Sequence, residues 1–167
     1  SDRNVLAEPR GIPWTLRLSL KTSPIWLITL TWFCLANAIH FIYAHLAALL
    51  IDIGYSAMVA AGVIAIIGVF SVISRVLGGF LSDHFGRVST FIGGATTSII
   101  ALLVLSYLLY PSNGGAEVGS MSWVYSFAVL FGVGTGAQTT QLTTLASDMY
   151  MSPFFSSIVG FLTIGFG

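Results

Sequence analysis

The stretch GVFSVISRVLGGFLSDHFGR, residues 68–87, is an apolar segment that carries one arginine in its body and ends in a tight charged turn. Both features cost free energy in lipid. An arginine near the centre of a spanning helix is disfavoured by about 2.5–3.5 kcal/mol on insertion scales, so Arg75 predicts a water-filled cavity or an anionic partner. The turn from Asp83 to Arg87 is too short to fold on its own. We therefore interpret it as a link between two helices at one membrane face.

The composition of the whole chain is typical of a membrane protein. Of its 167 residues, 56% are hydrophobic and 7% are charged, whereas about 25% are charged in a typical soluble domain. The uncharged runs are near or above the roughly 20 residues that cross the hydrocarbon core. The sequence therefore predicts an all-α, multi-pass integral membrane protein. Its single cysteine, Cys34, lies in an apolar run, and we expect no disulfide, metal, cofactor or nucleic-acid partner.

The polar breaks divide the chain into a prefix and five helices. The prefix, residues 1–23, contains prolines and acidic residues and ends in a short amphipathic piece, so it does not fit a secretory signal. Residues 24–167 form one transmembrane domain, which we expect to be incomplete because the last helix has no basic exit. The predicted helices are residues 24–46, 57–81, 88–110, 122–146 and 153–167.

The distribution of basic residues predicts the orientation. The connections at residues 51–56 and 111–120 contain acidic residues but no lysine or arginine. The basic residues outside the apolar runs fall on the other side: Arg3, Arg10, Arg17, Lys21 and Arg87. By the positive-inside rule, residues 1–23, 82–88 and 147–153 are expected in the cytoplasm, with the helices in the inner cell membrane.

The charged turn has the form G-x-x-x-D-x-x-G-R, carried by Gly79, Asp83, Gly86 and Arg87. With Ser74-Arg75-Val-Leu-Gly78-Gly79 upstream and Phe131-Gly-Val-Gly134-Thr-Gly136 downstream, it resembles the major facilitator superfamily, in particular the monocarboxylate and oxalate–formate antiporter branch. The resemblance covers nearly everything after Leu16. It implies that the five helices are the seventh to eleventh of twelve, in the C-terminal domain, that the prefix is the cytoplasmic linker between two halves, and that the N-terminal half is missing.

The residues of the turn have two interpretations. Gly86 suits a helix stop, where positive φ is costly for other residues, and Asp83 lies four residues before Arg87, close enough to pair with it. The resemblance implies that Asp83 also faces a helix start in the opposite half and holds the cytoplasmic gate shut. The alternative is a plain topogenic turn. Gly78 and Gly79 are expected to let another helix approach closely.

Arg75 is the strongest candidate for substrate binding. A guanidinium offers a planar fork that suits a carboxylate, and the resemblance implies that an arginine at this position binds an organic anion. The expected function is secondary active transport of small organic anions such as monocarboxylates by alternating access. The alternatives are a structural arginine in a transporter of another small solute, or a membrane enzyme or assembly subunit. An enzyme is not expected, since the histidines lie apart and have no carboxylate at helical spacing.

Two further helices carry polar faces. The first has Asn37, His40 and either Tyr43 or Ala44 at helical spacing, and His40 is equally suited to coupling a proton or to an interhelical hydrogen bond. The fourth has Gln138 and Gln141 on one face, which either line a substrate path or join helices. Gly132 and Gly136 form a G-x-x-x-G spacing, which is typical of helix packing.

Overall fold

The computed structural model describes residues 14–109 and 121–163. Within these ranges the secondary structure consists of six helices, so the predicted all-helical fold is confirmed. The helices are α1 (Leu16–Ser19), α2 (Ser23–Asp52), α3 (Ala57–Phe85), α4 (Arg87–Leu109), α5 (Met121–Tyr150) and α6 (Phe155–Leu162).

Three helices run further than the sequence predicted. α2 continues to Asp52 instead of residue 46, α3 to Phe85 instead of 81, and α5 to Tyr150 instead of 146. α3 and α5 continue through polar residues at their ends, whereas in α2 the apolar residues themselves continue to Ile51. α2 and α3 stop at the two positive-φ glycines, Gly54 (φ 100°) and Gly86 (φ 87°), which turn the chain. The predicted fifth helix starts at Phe155 instead of 153, and its last residues lie outside the described ranges.

α5 is the central helix of the bundle and packs between α3 and α4. Its approach to both neighbours depends on glycines. A Cβ added to Gly132 would lie 2.6 Å from the Ile67 carbonyl oxygen, and one added to Gly136 would overlap the Ser71 carbonyl oxygen of α3. A Cβ on Gly134 would overlap the Ser98 hydroxyl of α4. The predicted packing role of Gly132 and Gly136 is confirmed.

Three of the described helices are long and apolar enough to cross a membrane: Ser23–Asp52, Ala57–Phe85 and Arg87–Tyr107. α5 is 30 residues long but more polar. Buried residues follow one another along its middle, from Gly134 to Gln138, because other helices cover it. A helix surrounded by protein has less need of an apolar surface than one that faces lipid.

Two apolar clusters mark the two ends of the bundle. One joins α2, α3, α4 and α5 and includes Leu50, Phe127 and Tyr55 of the α2–α3 connection. Burial raises the pKa of the Tyr55 phenol above its ordinary value. The other cluster joins the start of α2 to the end of α5 and to α6, and it includes Ile25 and Tyr150.

Candidate functional site

The charged turn from Asp83 to Arg87, which we call the signature turn, is built around Gly86. The Gly86 N–H donates to the Ser82 carbonyl oxygen at 3.0 Å and closes α3, and α4 starts at Arg87. The Thr90 N–H and hydroxyl both donate to the Gly86 carbonyl oxygen, at 3.1 and 3.0 Å. With φ at 87°, Gly86 is the helix stop that the sequence predicted.

Arg87 pairs with a carboxylate that the spacing did not indicate. Its Nε donates to Asp148 Oδ2 near the end of α5, and its Nη1 lies 3.4 Å from the Ser82 hydroxyl. The predicted pair with Asp83 is therefore wrong. In the part of the chain that the structure describes, the exposed Asp83 makes no ion pair. α3 and α4 are separate helices around Gly86, so a spacing of four residues does not bring their side chains together.

The two glycines before the turn differ in their surroundings. A Cβ on Gly78 would meet the Ala137 Cα at 3.5 Å, and the Gly78 carbonyl accepts a 2.9 Å hydrogen bond from Gln141 Nε2. A Cβ on Gly79 would meet no described atom within 4 Å. The predicted close approach is thus confirmed for Gly78, whereas Gly79 faces away from the described helices.

Arg75 lies on α3, ten residues before Phe85 and so roughly 15 Å along the helix axis from its end. Its side chain is exposed, while Ser74 and Gly78 are buried against α5. The Arg75 charge interacts electrostatically with the Tyr43 hydroxyl of α2. Within residues 14–109 and 121–163, Arg75 makes no ion pair with a carboxylate.

Of the predicted polar face of α2, one residue interacts with Arg75. Asn37 and His40 are exposed. Asn37 Nδ2 donates to the Phe33 carbonyl oxygen at 2.8 Å, and His40 Nδ1 lies 2.8 Å from the Ala36 carbonyl oxygen. Tyr43 is half-buried and is the member of this face that interacts with Arg75.

The two glutamines of α5 make interhelical hydrogen bonds. Gln138 Nε2 donates to the Ser98 hydroxyl of α4 at 2.7 Å, and Gln141 Nε2 bonds to α3 at Gly78. Both side chains are buried, with exposed fractions of 5% and 0%. These hydrogen bonds are the ones expected if the two glutamines join helices. A role of the glutamines in lining a substrate path stays a prediction.

A groove of about 580 Å³ lies between α3 and α4, and the sequence did not predict it. Arg75 is not among the residues that line it. Three of the hydroxyl groups in its lining are already bonded: Ser74 donates to Val133 at 2.6 Å, Thr97 to Gly93 at 2.8 Å and Thr90 to Gly86 at 3.0 Å. The other lining residues are Ile73, Leu77, Gly78, Leu81, Phe85, Ser89, Gly94 and Ala137.

Metal ligands do not cluster in the described part of the chain. No three His, Cys, Asp or Glu side chains there lie close enough together to hold a metal ion.

The family of the chain follows from a comparison with protein-family models. The model described as Major Facilitator Superfamily matches residues 2–167. The chain belongs to this superfamily. Together with the three described helices that are long and apolar enough to cross a membrane, this family identifies the chain as part of an integral membrane protein.

Two curated proteins are similar in sequence to part of this chain. Magnetosome protein MamH of Paramagnetospirillum magneticum is 36% identical over 70 residues, and the uncharacterized MFS-type transporter YbcL of Bacillus subtilis is 32% identical over 73 residues. The alignments cover 42% and 43% of this chain but only 16% and 19% of the relatives. Neither name specifies a transported solute.

Proposed function

We propose that the chain is part of a secondary active transporter that moves small organic anions, such as monocarboxylates, by alternating access. The observation that carries this proposal is Arg75. It is a charged side chain in an apolar spanning helix, exposed on a side that α5 does not cover, and it interacts electrostatically with Tyr43. It also has no carboxylate partner in the described ranges.

The chemistry of this pair suits a carboxylate ligand. The guanidinium can donate two parallel N–H···O bonds to one carboxylate, and the Tyr43 hydroxyl can donate a third. Neutralising Arg75 with a bound anion also offsets part of the cost of holding a charge at this depth. A neutral solute would leave that cost uncompensated.

The remaining contacts are assigned by position. Asn37 and His40 lie on the exposed side of α2, where they can contact a solute in the same cavity, and His40 is the proposed site of proton coupling. Gln138 is proposed to line the path by its carbonyl oxygen, since its Nε2 atom already bonds to α4. Gln141 is proposed to reach the path only when α5 moves away from α3, since its Nε2 donates to Gly78 and its Oε1 accepts from the Thr144 hydroxyl.

The chain is proposed to supply the seventh to eleventh helices of a twelve-helix protein in the inner cell membrane. Residues 1–23 would then be the cytoplasmic linker from the N-terminal half, and that half would close the other wall of the cavity. The Major Facilitator Superfamily match over residues 2–167 supports this proposal, as do the basic residues of the expected cytoplasmic segments 1–23 and 82–88.

Asp83 is the proposed contact to that other half. Its carboxylate is exposed next to the signature turn, and Arg87 is already paired with Asp148. The Asp83 charge is therefore available to face the N-terminus of a helix across the gate, where the helix dipole favours an anion.

The proposal is tested by uptake into proteoliposomes that contain the complete protein. Labelled monocarboxylates, dicarboxylates, amino acids and sugars are offered with and without a proton gradient. We expect Arg75→Lys to weaken monocarboxylate uptake, because it keeps the charge but loses the fork. Arg75→Gln should lower kcat/KM about thirtyfold or more, since removing one partner of a buried charge pair costs about 2–5 kcal/mol.

Arg10→Gln is the matched control, because it removes an equal charge from the predicted cytoplasmic linker, outside the three apolar spans, and it should leave uptake unchanged. Uptake of a neutral sugar that is equally fast in Arg75→Gln would contradict the proposal. It would make Arg75 structural and leave a superfamily transporter of another solute.

A further inference from the structure

The segment before α2, residues 14–22, is docked on the end of α5, and we call it the N-terminal strap. The Thr22 hydroxyl lies 2.8 Å from the Tyr150 hydroxyl. The Ser152 hydroxyl donates to the Trp14 carbonyl oxygen at 2.7 Å. The Trp14 and Tyr150 rings meet edge to face, with centroids 5.3 Å apart and an interplanar angle of 85°. Both ends of the strap are thus fixed to the same few residues.

The docked strap is buried and does not merely lie across the surface. Tyr150 is 2% exposed and is the largest fully buried side chain of the described residues. Ser19, in the middle of the strap, is 0% exposed, and Trp14 and Leu16 pack against the cluster that contains Ile158 of α6. Separation of the strap from α5 would therefore expose apolar surface and leave hydroxyl groups unpaired.

The helical turn that receives the strap also carries Asp148. Asp148 and Tyr150 are two residues apart, which on a helix is about 200°, so their side chains leave α5 in nearly opposite directions. Tyr150 contacts the strap, while Asp148 pairs with Arg87 at the start of α4. One helical turn therefore joins the strap to the signature turn.

The last turn of α5 and the Arg87–Asp148 ion pair are each only weakly held by their own contacts. The last turn of a helix lacks part of its hydrogen bonding and opens easily. The Arg87 and Asp148 side chains are 31% and 48% exposed, and exposed ion pairs are typically weak. A weak pair at the end of a helix depends on whatever holds that end in place.

We infer that Tyr150 is a positioning residue for the Arg87–Asp148 ion pair, and that the strap is coupled through it to the signature turn. Holding the last turn of α5 in helical form keeps the Asp148 carboxylate in reach of Arg87. Release of the strap lets that turn open and weakens the pair. If the signature turn works as a gate, as proposed above, a movement of the strap changes the gate, whatever solute is transported.

The test is hydrogen exchange of the complete protein in lipid nanodiscs. Tyr150→Phe and Thr22→Val each remove one hydroxyl of the same hydrogen bond and keep the packing, and Thr22→Val also removes the bond from the Thr22 hydroxyl to the Ser19 carbonyl oxygen within the strap. Each should speed the exchange of amides 146–150 and 90–93 about two- to tenfold, the effect of losing one hydrogen bond on local opening. Tyr107→Phe and Thr29→Val, which remove hydroxyls that make no described contact with α5, are the controls and should change neither segment.

A second variant separates positioning from simple anchoring. In an Asp148→Asn background the ion pair is already lost, so Tyr150→Phe should no longer change the exchange of amides 90–93, although it should still change 146–150. If Tyr150→Phe in the parent speeds exchange only in the strap and leaves 90–93 unchanged, Tyr150 anchors the strap and the inference is wrong. Exchange is measured without a solute, so this result is independent of the Arg75 uptake experiment.

Discussion

At the scale of single residues, two carboxylates are possible ion-pair partners of Arg87. Asp83 precedes it by four residues, and Asp148 follows it by 61. A separation of four favours pairing only within one continuous helix, and here the positive φ of Gly86 ends α3 between the two residues. Arg87 therefore points from the start of α4 to the end of α5. Asp83 keeps its charge exposed to the surroundings of the bundle.

A double-mutant cycle distinguishes the two carboxylates. Arg87→Gln and Asp148→Asn should be coupled by about 0.2–1 kcal/mol, the usual range for partly exposed ion pairs. Arg87→Gln and Asp83→Asn should show no coupling. The measurement is the free energy of unfolding of the complete protein in mixed detergent micelles. In the same proteins, Asp83→Asn should lower the transport rate without a loss of stability, because its proposed partner acts only in one state of the gate.

A coupling between Arg87 and Asp83 that exceeds the coupling to Asp148 would contradict the arrangement of the turn. Unchanged transport in Asp83→Asn would favour the topogenic interpretation of the turn over the gating one.

The sequence located the turn, its glycine stop and its charges, because those depend on neighbouring residues. It did not identify the partner of Arg87 or the hydrogen bond between Thr22 and Tyr150, because both join residues that are distant in the chain. Arg75 was found from its cost in lipid alone, whereas the choice of Tyr43 over Ala44 as the residue that interacts with it required the packing of α2 on α3.

At the scale of the helices, α5 is organised by alternate glycines. Gly132 and Gly136 face α3, and Gly134 faces α4. The G-x-x-x-G spacing predicted the first contact. The second was not predicted, because Gly134 lies two residues away from each of the others and so on another side of α5. Close approach on both sides also explains why Gln138 and Gln141 can reach the neighbouring backbones.

Substitution of these glycines should destabilise the bundle. Gly136→Ala brings a Cβ against the Ser71 carbonyl oxygen, which is backbone and cannot move aside. We expect a loss of about 1–3 kcal/mol, typical of overpacking, measured as the free energy of unfolding in detergent. Gly68→Ala is the control, since a Cβ at that position meets no described atom within 4 Å. It should be neutral or slightly stabilising, because alanine is the better helix former. Equal losses in the two variants would mean that α3 and α5 do not pack as described.

At the scale of the whole molecule, the described segments that carry Arg17, Lys21 and Arg87 lie at one end of the bundle. The strap, with Arg17 and Lys21, contacts the end of α5, and the end of α5 contacts the signature turn through Arg87. The α2–α3 connection lies at the other end, beside Leu50 and Phe127. α2 has 30 residues and is thus roughly 45 Å long, against about 30 Å of hydrocarbon. α2 is therefore longer than the apolar layer is thick, and part of it extends beyond that layer.

The orientation that the positive-inside rule predicts can be tested by cysteine labelling. Single cysteines replace three exposed residues in a Cys34→Ser background: Met58 at the start of α3, His84 in the signature turn, and Met151 after α5. A membrane-impermeant maleimide added to intact cells should label Met58→Cys and spare His84→Cys and Met151→Cys. The physical reason is that the end with Arg17, Lys21 and Arg87 is retained on the cytoplasmic side. Permeabilised cells are the control, and there all three should react. Because the strap and the signature turn are joined through α5, the last two positions must respond alike, and labelling of either one in intact cells would contradict the orientation.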